Sequence, residues 1–363
     1  MTVFMCYNIF VMYMKKIIFV ILLLVSIATL IFVYNDDFLY SKQIMKVTSI
    51  KVLKEDVSQN DLGLEEKHYK KEIKGTITNG KNKGKEKKIV YEEAYSSVVT
   101  DKYKVGDKLI LSGSDVGLKR DFYVTLIIVI FLNLIYIVGS FKGLLSVVSV
   151  VFNMSIFYIG LSLYFSGVNL LLLCVIEMII FSILSLLLAS GFNKKTLSAI
   201  VSVMVSTTVM LLVLLLIVKT TNYKGVNFNE LSFLTVPVED IILPELLIGS
   251  LGAIMDVAIT ISSSMSELIE KDNKISAKKL NKSAKEIGKD IMSTMSNVLF
   301  FTYLCAGLPI FVLALRNGFS MHNYITTNFS LELTRFLVGS IGIVMTIPIS
   351  AFISIRIMKR GAK

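Results

Sequence analysis

Eight stretches of this chain each run for a membrane's depth with hardly a charge, and nothing limits the fold more. They lie at roughly 17–34, 122–139, 144–165, 168–189, 196–218, 241–263, 291–315 and 335–355. A helix needs ~20 apolar residues, within a range of about 17–25, to cross the hydrocarbon core. Helices and closed barrels are the structures that satisfy their backbone groups there. With 54% of its 363 residues apolar and a mean hydropathy of +0.70, the chain reads as a membrane α-helical bundle of about eight transmembrane helices. The first run follows Lys15-Lys16, which a cleaved signal peptide would also show. It has no A-x-A-like site and passes straight into Tyr34-Asn35-Asp36-Asp37, so an uncleaved anchor is expected. Met14 precedes the lysine pair and offers a second start, which would leave residues 1–13 outside the native chain.

Lysine and arginine in short loops orient such a bundle, because cytoplasmic loops carry the excess. With the N-terminus inside, the inner segments hold 16 cations: Lys15, Lys16, Lys142, Lys194, Lys195, seven lysines of 271–289, Arg356, Lys359, Arg360 and Lys363. The short outer loops and helix ends hold four: Lys219, Lys224, Arg316 and Arg335. Both termini are therefore expected in the cytoplasm of a bacterial cell, with residues 35–121 outside the cell membrane. The net charge of +11 needs no nucleic-acid partner on this reading. It is topogenic lysine, with weak attraction of 271–289 to anionic lipid.

Residues 40–118 differ in kind. KEIKGTIT, KKIVYEEAYSSV and YKVGDKLILS alternate with period two, and Asn79-Gly80, Lys83-Gly84 and Gly106-Asp107 supply turns. A small β-rich extracytoplasmic domain between the first and second helices is expected, a barrel or sandwich of four to six strands. The divisions are 1–39 for the cytoplasmic end and anchor, 40–119 for the β domain and 120–363 for a seven-helix transmembrane domain. Cys6, Cys174 and Cys305 all fall in or beside apolar runs, so no disulfide supports the β domain.

One run carries its polar residues in register. Glu245, Gly249, Gly252, Asp256, Thr260, Ser263 and Glu267 follow at spacings of 4, 3, 4, 4, 3 and 4, which at ~3.6 residues per turn puts them on one helical face. Further polar faces are Ser146, Ser149 and Asn153, then Ser198, Ser202 and Ser206, then Asp290, Ser293, Thr294 and Asn297, while Glu177 lies within the run at 168–189. Small and hydroxylated residues in such helices usually serve packing. A carboxylate costs more: about +2.5–3.5 kcal/mol at mid-helix on insertion scales, against ~0.6 kcal/mol per interhelical hydrogen bond. Asp256 therefore asks for a function more strongly than its neighbours do. Glu245 and Glu267 stand near the two ends of the run, where water reaches.

Familiar chemistry is missing from the chain. His68 and His322 lie 254 positions apart without companions at metal-ligand spacing. GKNKGKEK misses the phosphate-loop spacing, and no span offers a histidine to activate Ser162. No enzyme activity, cofactor or metal is expected. An acid-dependent hydrolase using Asp256 with Glu177 would lack any matching motif.

The segments GAIMDVAITISSSMSEL (252–268) and GKDIMSTMSNVLFFTYL (288–304) resemble the YibE/F family of bacterial multispanning membrane proteins. SFKGLLSVVSVVFN (140–153), ASGFNKKTLSAI (189–200) and GSIGIVMTIPISAFIS (339–354) are similar as well, and Lys104-Val105-Gly106-Asp107-Lys108 looks like the family's extracytoplasmic module. This chain has Asp290-Ile291-Met292 where the related pattern often has a Gly-Gly pair. The resemblance implies location and architecture, and a permease description without an established function or substrate.

The resulting expectation is a permease moving an unidentified ion or small solute along helices 241–269 and 290–315. Asp256 is its responsive carboxylate, Thr260, Ser263 and Asn297 its lining, Glu245 and Glu267 its mouths, with Glu177 and Asp290 as further pathway candidates. Pro244, Pro309 and Pro348 suggest broken helices at a binding site. The alternative is a non-transporting sensor or assembly subunit whose β domain binds a partner. Expected partners are the lipid bilayer, the solute, and a second copy or another membrane protein.

Overall fold

A computed structural model describes residues 2–59, 65–95, 101–113, 115–224, 226–228, 237–327 and 329–360. It divides into two compact units, Met1–Leu144 and Leu145–Lys363. The final Ser-Ser-Val of the KKIVYEEAYSSV stretch and the Cys6 side chain lie outside what is described.

The first unit opens with helix α1 (Thr2–Asn35) and continues into five strands: β1 (Gln43–Gln59), β2 (Glu65–Ile77), β3 (Glu86–Ala94), β4 (Lys108–Ser112) and β5 (Asp115–Leu118). They form one antiparallel sheet in the order β3-β2-β1-β4-β5. The domain is thus β-rich, but it is a single open sheet, with β3 and β5 as its edges among the described residues, and neither a barrel nor a sandwich. Its core is Met45, Val47, Ile73, Tyr103, Leu109 and Leu111. Gly84 and Gly106 adopt φ of +85° and +98°, as the expected turns require. Beyond Lys51 the β1–β2 ribbon runs on with every β1 residue exposed.

Buried charge ties the sheet to the helices of this unit. Lys119, 5% exposed, contacts the Asp36 carboxylate and reaches Asp37 at 2.8 Å and Asp121 at 3.5 Å. Lys108 meets Asp37 at 2.8 Å. Asn79 donates to the carbonyls of Asp37, Tyr40 and Lys42 and accepts from the Ile44 amide. Burial raises the Tyr40 phenol, and its 2.7 Å hydrogen bond to Asp121 adds to this, lifting it to about 12. Burial alone would lower the Lys119 ammonium, but the bonds to Asp36 and Asp37 prevail and hold it above its ordinary value.

Helix α2 (Asp121–Phe165) has 45 residues, about 67 Å if straight and far beyond one bilayer core. It is not straight. Ser140 sits at φ 51°, ψ −140°, and a Cβ on Gly143 would lie 2.6 Å from the Ile135 carbonyl oxygen. Eight residues of unbroken helix would separate those positions by ~12 Å, so the chain turns back on itself at Ser140. The run at 122–139 therefore ends at Ser140, and the run at 144–165 is a separate helical segment.

The second unit holds the later part of α2 with α3 (Leu170–Ser190), α4 (Lys194–Thr221), α5 (Glu239–Lys271), α6 (Ala277–Arg316), the short α7 (Met321–Thr327) and α8 (Phe329–Arg360). Seven helices among the described residues, α2 counted once, are long and apolar enough to cross a membrane. Helix α8 is the hub, packing against α4, α5 and α6, while α5 also meets α3 and α4. Two apolar clusters fill the interior, one around Val203, Met210, Leu247 and Ile254, the other around Ile261, Met265, Leu280 and Ile343.

Two sequence expectations change here. Pro309 and Pro348 lie inside continuous helices, as does Pro244, so among the described residues none of them opens a broken helix; the break is at Ser140. The lysine-rich segment also belongs largely to α6, which begins at Ala277 with the Ser276 hydroxyl capping Lys279. Leu280, Ala284 and Gly288 are buried at four-residue intervals while Lys278, Lys282, Lys285 and Lys289 stay exposed. Gly288 is required there, since a Cβ would lie 2.3 Å from Ile347 Cγ2.

Candidate functional site

Three polar features run through the second unit, and they do not merge. The first is a hydroxyl seam between α4, α5 and α8. The Ser354 hydroxyl stands 3.3 Å from that of Ser198 and 2.9 Å from that of Ser262. Ser202, Ser206, Thr346 and Ser350 are buried with them. Ser202 and Thr346 return their hydroxyl protons to carbonyls one turn earlier. This accounts for the Ser198, Ser202 and Ser206 face as packing, the use small hydroxylated residues commonly have between membrane helices.

The second feature is the α5 stripe. Asp256 lies next to the midpoint of the Glu239–Lys271 helix. Gly249, Gly252, Asp256, Thr260 and Glu267 are exposed and Glu245 and Ser263 half-buried, whereas Val257, Ala258, Ile261 and Ser262 on the reverse side are wholly buried. The Thr260 hydroxyl donates to the Asp256 backbone carbonyl at 2.7 Å, leaving its oxygen lone pairs outward. The stripe therefore borders the unit and does not line its interior.

Helix α6 runs alongside. A Cβ on Gly249 would meet the Tyr303 hydroxyl at 2.7 Å, and toward the far end Ser264, Glu267 and Lys271 share a cavity of about 470 Å3 with Lys282, Ser283 and Glu286. Carried between these two contacts, the antiparallel register sets Asp256 at the level of Ser296 and Asn297. Asn297 and Asp290 are exposed on α6.

The stripe's Glu245 end is a charge cluster. Arg335 reaches Glu245 at 2.6 Å and also contacts Glu332, one turn earlier on α8. Glu332 Oε2 and Arg335 Nε are buried without a hydrogen-bond partner among the described residues. Glu332 was not among the expected site residues, and Arg335 was read only as a loop cation. Their three-residue spacing at the mouth of an apolar run was the available signal.

The third feature lies between α2 and α3. Asn153 donates to the Ser185 hydroxyl at 2.8 Å, and Ser149 lies 3.2 Å from the same oxygen. Further along the pair, Glu177 rests against Gly160, where a Cβ would stand 1.7 Å from Glu177 Oε1. Glu177 thus stands apart from the Asp256 stripe.

Among curated proteins and solved structures nothing significant matches the chain. Family models do match: residues 127–360 fit the YibE/F-like protein model, and residues 38–123 fit the YibE/F family N-terminal domain. Matched over its helices and its sheet alike, the chain belongs to the YibE/F family.

Proposed function

We propose that the chain is a permease of the bacterial cell membrane, moving a small solute or ion along the α5–α6 face. The supporting observation is the exposure of Asp256 midway along an apolar helix, with Thr260 and Ser263 on its face and Asn297 at its level on α6. An uncovered carboxylate at that depth is costly against lipid and tolerable against water. The stripe accordingly faces an aqueous path, closed on its open side by a neighbouring chain, either a second copy or another membrane protein. Glu245 and Glu267 mark its two mouths, and Asp290 lies toward the Glu267 end. Eight spans, with both termini cytoplasmic and the sheet outside, complete the reading. The reversal at Ser140 and the 16-to-4 distribution of cations favour this topology.

The test is metabolite and ion profiling of cells carrying the native chain, no chain, or Asp256→Asn. A solute whose level shifts with the native chain and reverts in the variant, at equal amounts in the membrane, is the expected result. Native behaviour of Asp256→Asn would remove the main support.

A second reading is a sensor or assembly subunit. One observation favours it: Val52, Leu53 and Val57 are about half exposed on the projecting β1–β2 ribbon, an apolar edge suited to a partner. Shortening that ribbon would then abolish the phenotype while Asp256→Asn left it intact.

A further inference from the structure

Glu177 is the carboxylate that the α5 pathway leaves unused. It is 5% exposed, and its Oε1 has no hydrogen-bond partner among the described residues. A buried acceptor without a donor is uncommon and costs free energy unless something supplies a proton. The surroundings define what fits. Gly160 supplies the slot, since any Cβ there would occupy the carboxyl's own position. No oxygen ligand accompanies it among the described hydrogen bonds, so a metal cation, which needs several, has no shell here.

The slot has an approach. A cavity of about 290 Å3 lies where α2 ends and α3 and α5 begin, lined by Tyr164, Asn169, Leu171, Asp240, Leu243 and Pro244 among others. Tyr164 is one turn beyond Gly160 on α2, so the cavity ends about one turn from the carboxyl. On the other side along the same helix pair come Asn153, whose Oδ1 is also buried without a partner, and Ser185. The neighbouring titratable groups are few: Cys174 one turn earlier on α3, Tyr164 on α2 and Asp240 of α5 at the cavity. Helix α4 has none between Thr196 and Val218, and α5 turns Leu243, Leu247 and Leu251 toward the cluster that includes Met178 and Phe181 of α3.

We propose that Glu177, seated against Gly160, is an exchangeable proton-binding site reached through the Tyr164–Asp240 cavity. The proton enters from water in that cavity, bonds to a carboxylate oxygen, and leaves by the same or the Asn153 side. No other bond is made or broken. The site stands on α2 and α3, independently of the α5 stripe, so either can fail alone.

The test uses dicyclohexylcarbodiimide, an apolar reagent that modifies protonated carboxyls in apolar surroundings, on the full chain in lipid, read by peptide mass spectrometry. Glu177 should be labelled, labelling should fall as the medium is made alkaline, and Gly160→Ala should change its extent by displacing the carboxyl. Glu177→Gln should lose the adduct at that position. Because loss of Glu177→Gln from the membrane would be uninformative, the decisive comparison is the pH series on the native chain. Labelling that does not change with pH, or none at Glu177 while other carboxyls react, would overturn the proposal.

Discussion

Lys119 shows how much one side chain can hold. It faces Asp36, Asp37 and Asp121 at once with only 5% of its surface open. Lys119→Met should destabilise the first unit by about 3 kcal/mol, because it strips the buried Asp36 carboxylate of its ammonium and leaves Asp37 to Lys108 alone. Chemical denaturation followed by the sheet's circular dichroism would measure this. Tyr40 gives the same cluster a pH dependence. Its folded value near 12 lies above the ordinary 10, so the folded form holds the phenolic proton more tightly. That share of stability is complete below about pH 10 and disappears as pH rises toward 12. Tyr40→Phe should remove a late-ionising phenol from an ultraviolet titration of the tyrosines. None of this cluster was legible beforehand, because residues 36, 37, 79, 108, 119 and 121 meet only once the sheet has formed. Asp256 was legible for the opposite reason. A carboxylate in an apolar run declares itself without knowledge of its neighbours, although periodicity gives the face and not what covers it.

At the scale of elements, the reversal within α2 is the sharpest local demand on the chain. Ser140 occupies a region of backbone space that belongs almost wholly to glycine, at a cost of about 1–3 kcal/mol. Ser140→Gly should therefore stabilise the turn by about 1 kcal/mol, with Gly143→Val destabilising it through the Ile135 carbonyl, both read as melting temperature in detergent. Lys142, the one charge in the gap between 139 and 144, was enough to suggest two spans, since length alone forbids one. The first turns of α6 were not legible as helix in the same way. Five exposed lysines between 278 and 289 hide a four-residue apolar repeat that becomes visible once α8 packs against it. The hydroxyl faces illustrate a second limit. Ser198 and Ser202 announce a face, but nothing in α4 alone says that Ser354 of α8 and Ser262 of α5 complete it.

For the whole molecule, a family match over sheet and helices sets the architecture, and the placement of polar groups separates two kinds of polar face within the helices. The seam at Ser354 is interior and closes on the hydroxyls of Ser198 and Ser262; the stripe at Asp256 is peripheral and open. Single-cysteine scanning of α5 in native membranes, with a charged thiol reagent, tests that distinction most directly. Cysteines at 249, 252, 256, 260 and 263 should react, and those at 257, 258, 261 and 262 should not. Uniform protection of the first set would mean that the stripe meets lipid or packed protein and not water, and the pathway along α5 would be contradicted.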